Sequence, residues 1–343
     1  MMDILANNNW ERPIYYASTT GSEAYLGLED YFQLEGFAYR LVPIRTPRQS
    51  YSDIGRINSE VLYENLMNVF NDHSRIDRVN NPNAPAKEAY PYDWGGFNDP
   101  RVYHSEDNTR LVSMIRKIYD RLSGQLAAEG DLERAEQVLD KGNAIVPDEV
   151  FPYVSVMSNM YGYTQNSTFY MQDYFSLHTP SADKKGMEMA KTIWNEMVEL
   201  FDWYNRQDEK TLAFHTEDLR YDFIFLHYFL HNVKFPSDEL AAHYKELKMD
   251  HVAEMYIRSL TGSITKQIRK PDFDQQSVAG DFQELRQIMQ IAEKCGDTST
   301  MQKARQVAES QFTSLDAISP GLGGAFQRFF YGTQNEEEQQ AEE

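Results

Sequence analysis

From Asn108 onward, apolar residues recur at intervals of three and four, the spacing that lines one face of an α-helix. Leu111, Ile115, Tyr119, Leu122 and Leu126 form a first stripe. Gly130 interrupts it, Asp131 stands where a side-chain cap would start the next helix, and Leu132, Ala135, Val138, Leu139, Gly142 and Ile145 form a second stripe, closed by Pro147. Two helices and a turn within roughly 34 residues have the length of a TPR repeat. The positions agree as well. Tyr119 stands at the repeat's large aromatic, Leu122-Ser123 at its Leu-Gly pair, Leu126 at its Tyr, Ala135 at its small residue, Leu139 at its Phe and Pro147 at its terminal Pro. Small residues are needed at Ser123, Ala135 and Gly142 because two helices cross closely there.

Further stripes follow. Ala190, Trp194, Met197, Phe201 and Tyr204 mark a helix over 185–204, and Leu219, Phe223, Leu226 and Leu230 one over 217–233. Leu240, Tyr244, Leu247 and Met255 mark one over 238–260 with a break near Met249. Phe282, Leu285, Ile288, Met289 and Ala292, then Cys295-Gly296-Asp297, then Met301, Ala304, Val307 and Ala308 repeat the hairpin pattern around an echo of the Gly130-Asp131 turn. The first hundred residues differ. They predict a short helix at the N-terminus, strands over 12–17 and 37–44 flanking a helix over 25–34, a small βαβ-like unit, and an amphipathic helix over 59–70. Residues 80–100 are dense in Asn, Pro and Gly and read as loop. The expected fold class is therefore mainly α: an irregular TPR-like α-solenoid of helical hairpins preceded by a small α/β head. The expected domains are a head over 1–105, a helical domain over 106–316, and a connector with a disordered acidic tail over 317–343, where Gly321-Leu322-Gly323-Gly324 reads as flexible.

Charge narrows the partners. The 343-residue chain carries 53 acidic against 33 basic residues, a formal net charge of −20. That field repels phosphate backbones, so nucleic acid is not an expected partner. The single cysteine, Cys295, allows no internal disulfide. No stretch approaches the roughly 20 apolar residues that span a bilayer, and the start, MMDILANNNW, has no basic and apolar leader pattern.

Candidate chemistry is sparse. His227 and His231 lie four apart on a predicted helix and share a face, as a metal pair would, but lack a clear third ligand; packing within an aromatic-rich helix is the alternative. The pairs Glu29-Asp30, Glu217-Asp218 and Asp238-Glu239 stand at predicted helix starts, where acidic groups favour the dipole. Cys295, before a turn glycine with no His close in sequence, reads as a small buried hydrophobe. With no nucleophile elbow and no phosphate-binding glycine loop, no catalytic residue, metal or cofactor is expected. The loop from Tyr90 to Tyr103 is the most distinctive segment. Tyr92, Trp94, Phe97, Asn98 and Asp99 are its candidate binding residues, able to stack on and hydrogen-bond a sugar. Trp94 and Phe97 equally suit a plug holding the head on the helices, which the cost of ordering so long a loop favours.

Three marks in order resemble a known family. They are Asp3 to Tyr15, reading DILANNNWERPIY; Tyr25 to Leu28, Tyr31 to Gly36 and Tyr39 to Pro43; and Trp94-Gly95-Gly96, Asp99-Pro100 and Val102-Tyr103. Together they resemble the C-terminal soluble part of the protein O-mannosyltransferase-like membrane proteins of Bacteroidetes, the group catalogued as domain of unknown function 2723. The resemblance covers most of residues 3–150. It implies a parent with many membrane helices of the glycosyltransferase-C type, a lipid-linked sugar donor, and catalysis in the membrane half. It implies for this chain a non-catalytic recognition or scaffolding role on the periplasmic side of the inner membrane. Its partners would be the membrane half of the same polypeptide and an acceptor protein or peptide, with a glycan-binding module and, more remotely, a stand-alone hydrolase as rivals. A TPR-like superhelix would offer a concave, aromatic-lined surface for the purpose.

Overall fold

The computed structural model describes residues 2–46, 54–69, 94, 96–155, 163–270 and 273–332. The chain is mainly helical with a small sheet near its N-terminus, and it divides into two compact units, Met1–Phe151 with Ser176–Ala182, and Pro152–Phe175 with Asp183–Glu343.

In the first unit, helix α1 (Met2–Asn7) precedes four strands, β1 (Ile14–Ala17), β2 (Phe32–Leu34), β3 (Ala38–Leu41) and β4 (Arg56–Ile57), in the order β1-β3-β2-β4. β3 is antiparallel to both β1 and β2, and β4 runs parallel to β2. The sheet corrects the expectation of a helix over 25–34. Leu26 and Gly27 both adopt positive φ (57° and 75°), which ends any helix there. Two short 3-10 turns, Ser22–Ala24 and Glu29–Tyr31, replace it. Phe32 and Leu34 then bury on one side with Gln33 between them, the two-residue period of a strand. The unit is therefore an antiparallel hairpin joined by one short parallel strand, not a βαβ crossover. Tyr16, Tyr25, Phe32 and Tyr39 cluster at its centre, with Phe32 4.7 Å from Tyr16 and 5.3 Å from Tyr25, ring centre to ring centre. Gly55 (φ +70°) must be glycine: a Cβ there would lie 2.4 Å from the Phe32 carbonyl oxygen.

Helix α2 (Ser59–Tyr63) is capped by Asn58, whose side chain accepts from Val61 N, and passes into a π turn over Glu64–Asn68. Of its predicted stripe, Leu62 and Leu66 are buried, Val69 is half-buried and Phe70 lies outside the described residues. Helices α3 (Glu106–Ala128) and α4 (Leu132–Ile145) form the predicted hairpin. Gly130 turns it at φ +86°, and the Asp131 carboxylate accepts from Arg134 N at 3.1 Å. At the seam Ser123 and Ala135 are fully buried, and Ser123 Oγ donates to the Ala135 carbonyl at 3.1 Å. Leu111 and Leu132 depart from the prediction: at the ends of their stripes, they stay exposed. The buried Arg116 guanidinium donates to the Phe151 carbonyl at 2.7 Å, beyond the end of α4. Arg134 joins this hairpin to α2, donating to Glu60 at 2.7 and 3.0 Å and to Asp131 at 2.6 Å. These hydrogen bonds hold both carboxyls below their ordinary range.

The second unit is built from helices. They are α5 (Tyr163–Ser176), α6 (Pro180–Asn205), α7 (Glu209–Phe214), α8 (Thr216–Asn232), α9 (Asp250–Ile268), α10 (Gln275–Cys295), α11 (Thr298–Ile318) and α12 (Leu322–Tyr331). The break expected near Met249 separates a 3-10 stretch, Glu239–Glu246, from α9. Tyr256, rather than Met255, turns into the core, and it stacks on Phe223 at 5.1 Å. α8 packs on α10, and α9 packs on both α10 and α11. Trp194 on α6 meets Phe229 on α8 and Tyr244 in the 3-10 stretch, and its indole N–H donates to the His243 carbonyl. The α10–α11 turn repeats the earlier chemistry: Gly296 has φ +72°, and Asp297 accepts from Thr300 N. The glycines near 321, expected to be flexible, instead open α12. Gly321 supplies the left-handed cap, and Gly323 lies so near the Phe312 carbonyl that a Cβ would sit 2.2 Å from it. Phe326 and Phe330 then pack on Phe282 and Phe312. That apolar closure is why the segment folds.

Candidate functional site

A groove of about 800 Å³ opens between α9 and α11. It exists because each helix keeps one face in the core and turns polar residues to the other. On α9, Val252, Tyr256, Leu260 and Ile264 are buried, while Arg258, Gly262 and Lys266, four apart, follow the outer face. Lys303, Gln306 and Ser310 of α11 form the opposite wall, with Ile257 and Val307 supplying apolar surface. Gly262 widens the groove, since no atom lies within 4 Å of where its Cβ would stand.

The groove is locally positive. Four cations line it, Arg258, Lys266, Arg269 and Lys303, against one carboxylate, Glu254. Lys303 lies 3.1 Å and Arg258 3.5 Å from Glu254, and Arg258 also reaches Glu209 at 3.2 Å. The Lys303 hydrogen bond holds the Glu254 carboxyl below its ordinary range. Lys266 and Arg269 form no ion pair among the described residues. None of the lining residues is aromatic, so this groove is not the aromatic-lined surface expected of the helical array. The aromatic side chains are largely consumed by the cores instead, Trp194, Phe201, Phe223 and Phe282 among them.

The loop residues do not join this groove. Tyr92 lies outside the described residues. Trp94 is half-buried with its ring edge-to-face on Phe37, and Phe97 is buried between His104 and Phe151, each 5.2 Å away. Asn98 is exposed on the turn. Both Asp99 oxygens are occupied by Arg101, at 2.8 and 2.7 Å, which holds that carboxyl below its ordinary range. Phe97 and Asp99 thus anchor and shape the loop.

The other candidates resolve into packing. The His227 and His231 rings are 4.5 Å apart, and His227 Nε2 pairs with Gln290 Oε1 at 2.8 Å. Burial lowers the pKa of both, His231 to about 4. Among the described residues no three His, Cys, Asp or Glu side chains converge as metal ligands. The three acidic pairs stand at helical starts as anticipated. Cys295 is buried, and burial pushes its thiol up to about 12. Of the buried acids, Asp222 stands near the histidine pair in the sequence, while nothing in the sequence singles out Glu284. Asp222 accepts from Tyr204 at 2.8 Å, and Glu284 accepts from Arg220 at 2.7 Å and from Tyr256. These bonds tie α6 to α8, and α8 and α9 to α10.

Comparison with known proteins reaches the head alone. Residues 1–61 match the family described as TMEM260-associated domain 2. This stretch holds the four strands and the start of α2, and it contains the first two sequence marks but not the third. No curated protein and no solved structure matches the chain. Among the described residues no helix is long and apolar enough to cross a membrane.

Proposed function

We propose that this chain is a non-catalytic recognition module of a membrane glycosyltransferase, and that its α9–α11 groove holds an extended segment of the acceptor polypeptide or of a partner. The groove carries the reading. It is open, lined by two adjacent helices and fringed by cations, two of which form no ion pair among the described residues. A helical hairpin array presents such a surface to a peptide. The head's similarity to a TMEM260-associated domain supports a membrane glycosyltransferase context, as do the marks resembling the protein O-mannosyltransferase-like family. In this reading the chain lies on the periplasmic side, beside the membrane half of the same polypeptide, and bond-making belongs to that half. A polypeptide is favoured over a glycan because sugars stack on aromatic faces and the groove has none.

The test fills the groove without unfolding the protein. Gly262→Leu places a side chain in the empty space and replaces glycine inside a helix, a change that favours the helix intrinsically. In the full-length enzyme, Gly262→Leu should raise KM for a polypeptide acceptor several-fold and leave kcat unchanged. An unaltered KM would remove the groove from the pathway.

A further inference from the structure

A second cavity, of about 250 Å³, lies in the first unit between the sheet and α3. Met114, Lys117, Ile118 and Arg121 stand at the i, i+3, i+4 and i+7 positions of α3, so one helix face supplies two apolar and two cationic side chains to it. Leu34 and Ile54 complete the apolar lining, and Ser18 and Thr19, just after β1, bring hydroxyls.

The charges are arranged for an anion. Arg121 Nη1 donates to the hydroxyl of the buried Tyr39 at 3.1 Å, which fixes the guanidinium and leaves its other N–H groups without partners among the described residues. Lys117 is exposed and forms no ion pair among the described residues. Among the described residues no carboxylate lines the cavity, although acids outnumber bases 53 to 33 in the chain. Two cations one turn apart, without an ion-pair partner among the described residues and sharing the lining with two hydroxyl residues, match the needs of a phosphate. The guanidinium binds its oxygens in a fork, the ammonium acts as a point charge, and the hydroxyls donate. The volume falls below the ~300–1,000 Å³ of sites for drug-sized ligands, so the cavity takes a head group rather than a whole large ligand.

We propose that this pocket binds the phosphate of a phosphorylated ligand, with the apolar lining covering the atoms next to it. The phosphate can come from a free phosphate ester or from a lipid head group, and the experiment separates the two. The intact chain is titrated with inorganic pyrophosphate and with glycerol 1-phosphate by calorimetry. It is also sedimented with phosphatidylglycerol vesicles and with phosphatidylcholine vesicles. The same is done for Lys117→Gln with Arg121→Gln, and for a control, Lys191→Gln, whose ammonium pairs with Glu239 in the other unit. Saturable 1:1 binding of a soluble phosphate, weakened about tenfold or more by the double variant and unchanged by the control, is expected, because the loss of charged hydrogen bonds has at least that effect. Binding to phosphatidylglycerol vesicles alone, abolished by the same variant, assigns the phosphate to a lipid. No binding in either arm, or binding that the double variant leaves intact, overturns the proposal. Lys117→Gln alone changes an exposed side chain, so it keeps the test decisive if loss of the Arg121–Tyr39 bond loosens the head.

Discussion

At the residue scale, His231 offers the sharpest pH dependence. Both ring nitrogens are buried without a hydrogen-bond partner among the described residues, and desolvation, then the neighbouring His227 and Lys294, lower its pKa to about 4. A histidine depressed in the folded state binds its proton more readily when unfolded. The stability it contributes is therefore complete above about 6.5 and declines as pH falls towards 4. Because the ring is only partly buried, solvent screening keeps the effect modest. The melting temperature should drop between pH 7 and pH 5, and His231→Leu should flatten that slope. An identical slope in the variant, measured in the same buffers, would place the titration elsewhere. Ser123 argues in the same terms for packing. A leucine there has no room at the α3–α4 crossing and would lose the hydroxyl's bond to the Ala135 carbonyl.

At the element scale, α12 docks through an aromatic cluster, with polar contacts from Asp316, Arg286 and Glu309 beside it. Phe282 stacks on Phe312 at 5.1 Å and meets Phe326 at 5.2 Å. Phe282→Ala should cost about 3–5 kcal/mol, read as a lower midpoint in urea, whereas a loss under 1 kcal/mol would mean that α12 contributes little. Such elements were legible where burial is one-sided. The stripes through Tyr119, Leu139, Trp194, Phe223 and Leu285 were read from spacing, as were the Gly130-Asp131 and Gly296-Asp297 turns, because glycine and aspartate there have specific backbone tasks. α5 was missed because polar and apolar residues alternate too evenly along Tyr163–Ser176. β2 was read as helix because only the Leu26-Gly27 kink, invisible in apolar spacing, separates the two outcomes. Neither candidate site was legible. The groove joins outward residues of α9 and α11 some forty positions apart, and the pocket joins Ser18 to Arg121, so no local motif records either.

At the scale of the whole molecule, the charge of −20 is the dominant long-range term. Self-repulsion of like charges opposes compaction, and salt weakens it once the Debye length shrinks to ~8 Å near 0.15 M. Thermal stability should therefore rise as sodium chloride increases from low to physiological strength; a fall would mean that local pairs such as Arg134–Glu60 outweigh the global field. The shielding of Cys295 has a practical corollary. As the chain's single thiol, enclosed at the end of α10 and far from ionising at neutral pH, it leaves the native surface blank to maleimide. One cysteine introduced in the vacant space at Gly262 would be the sole addressable position, and a fluorophore placed there would register occupancy of the cleft in real time with no background to subtract.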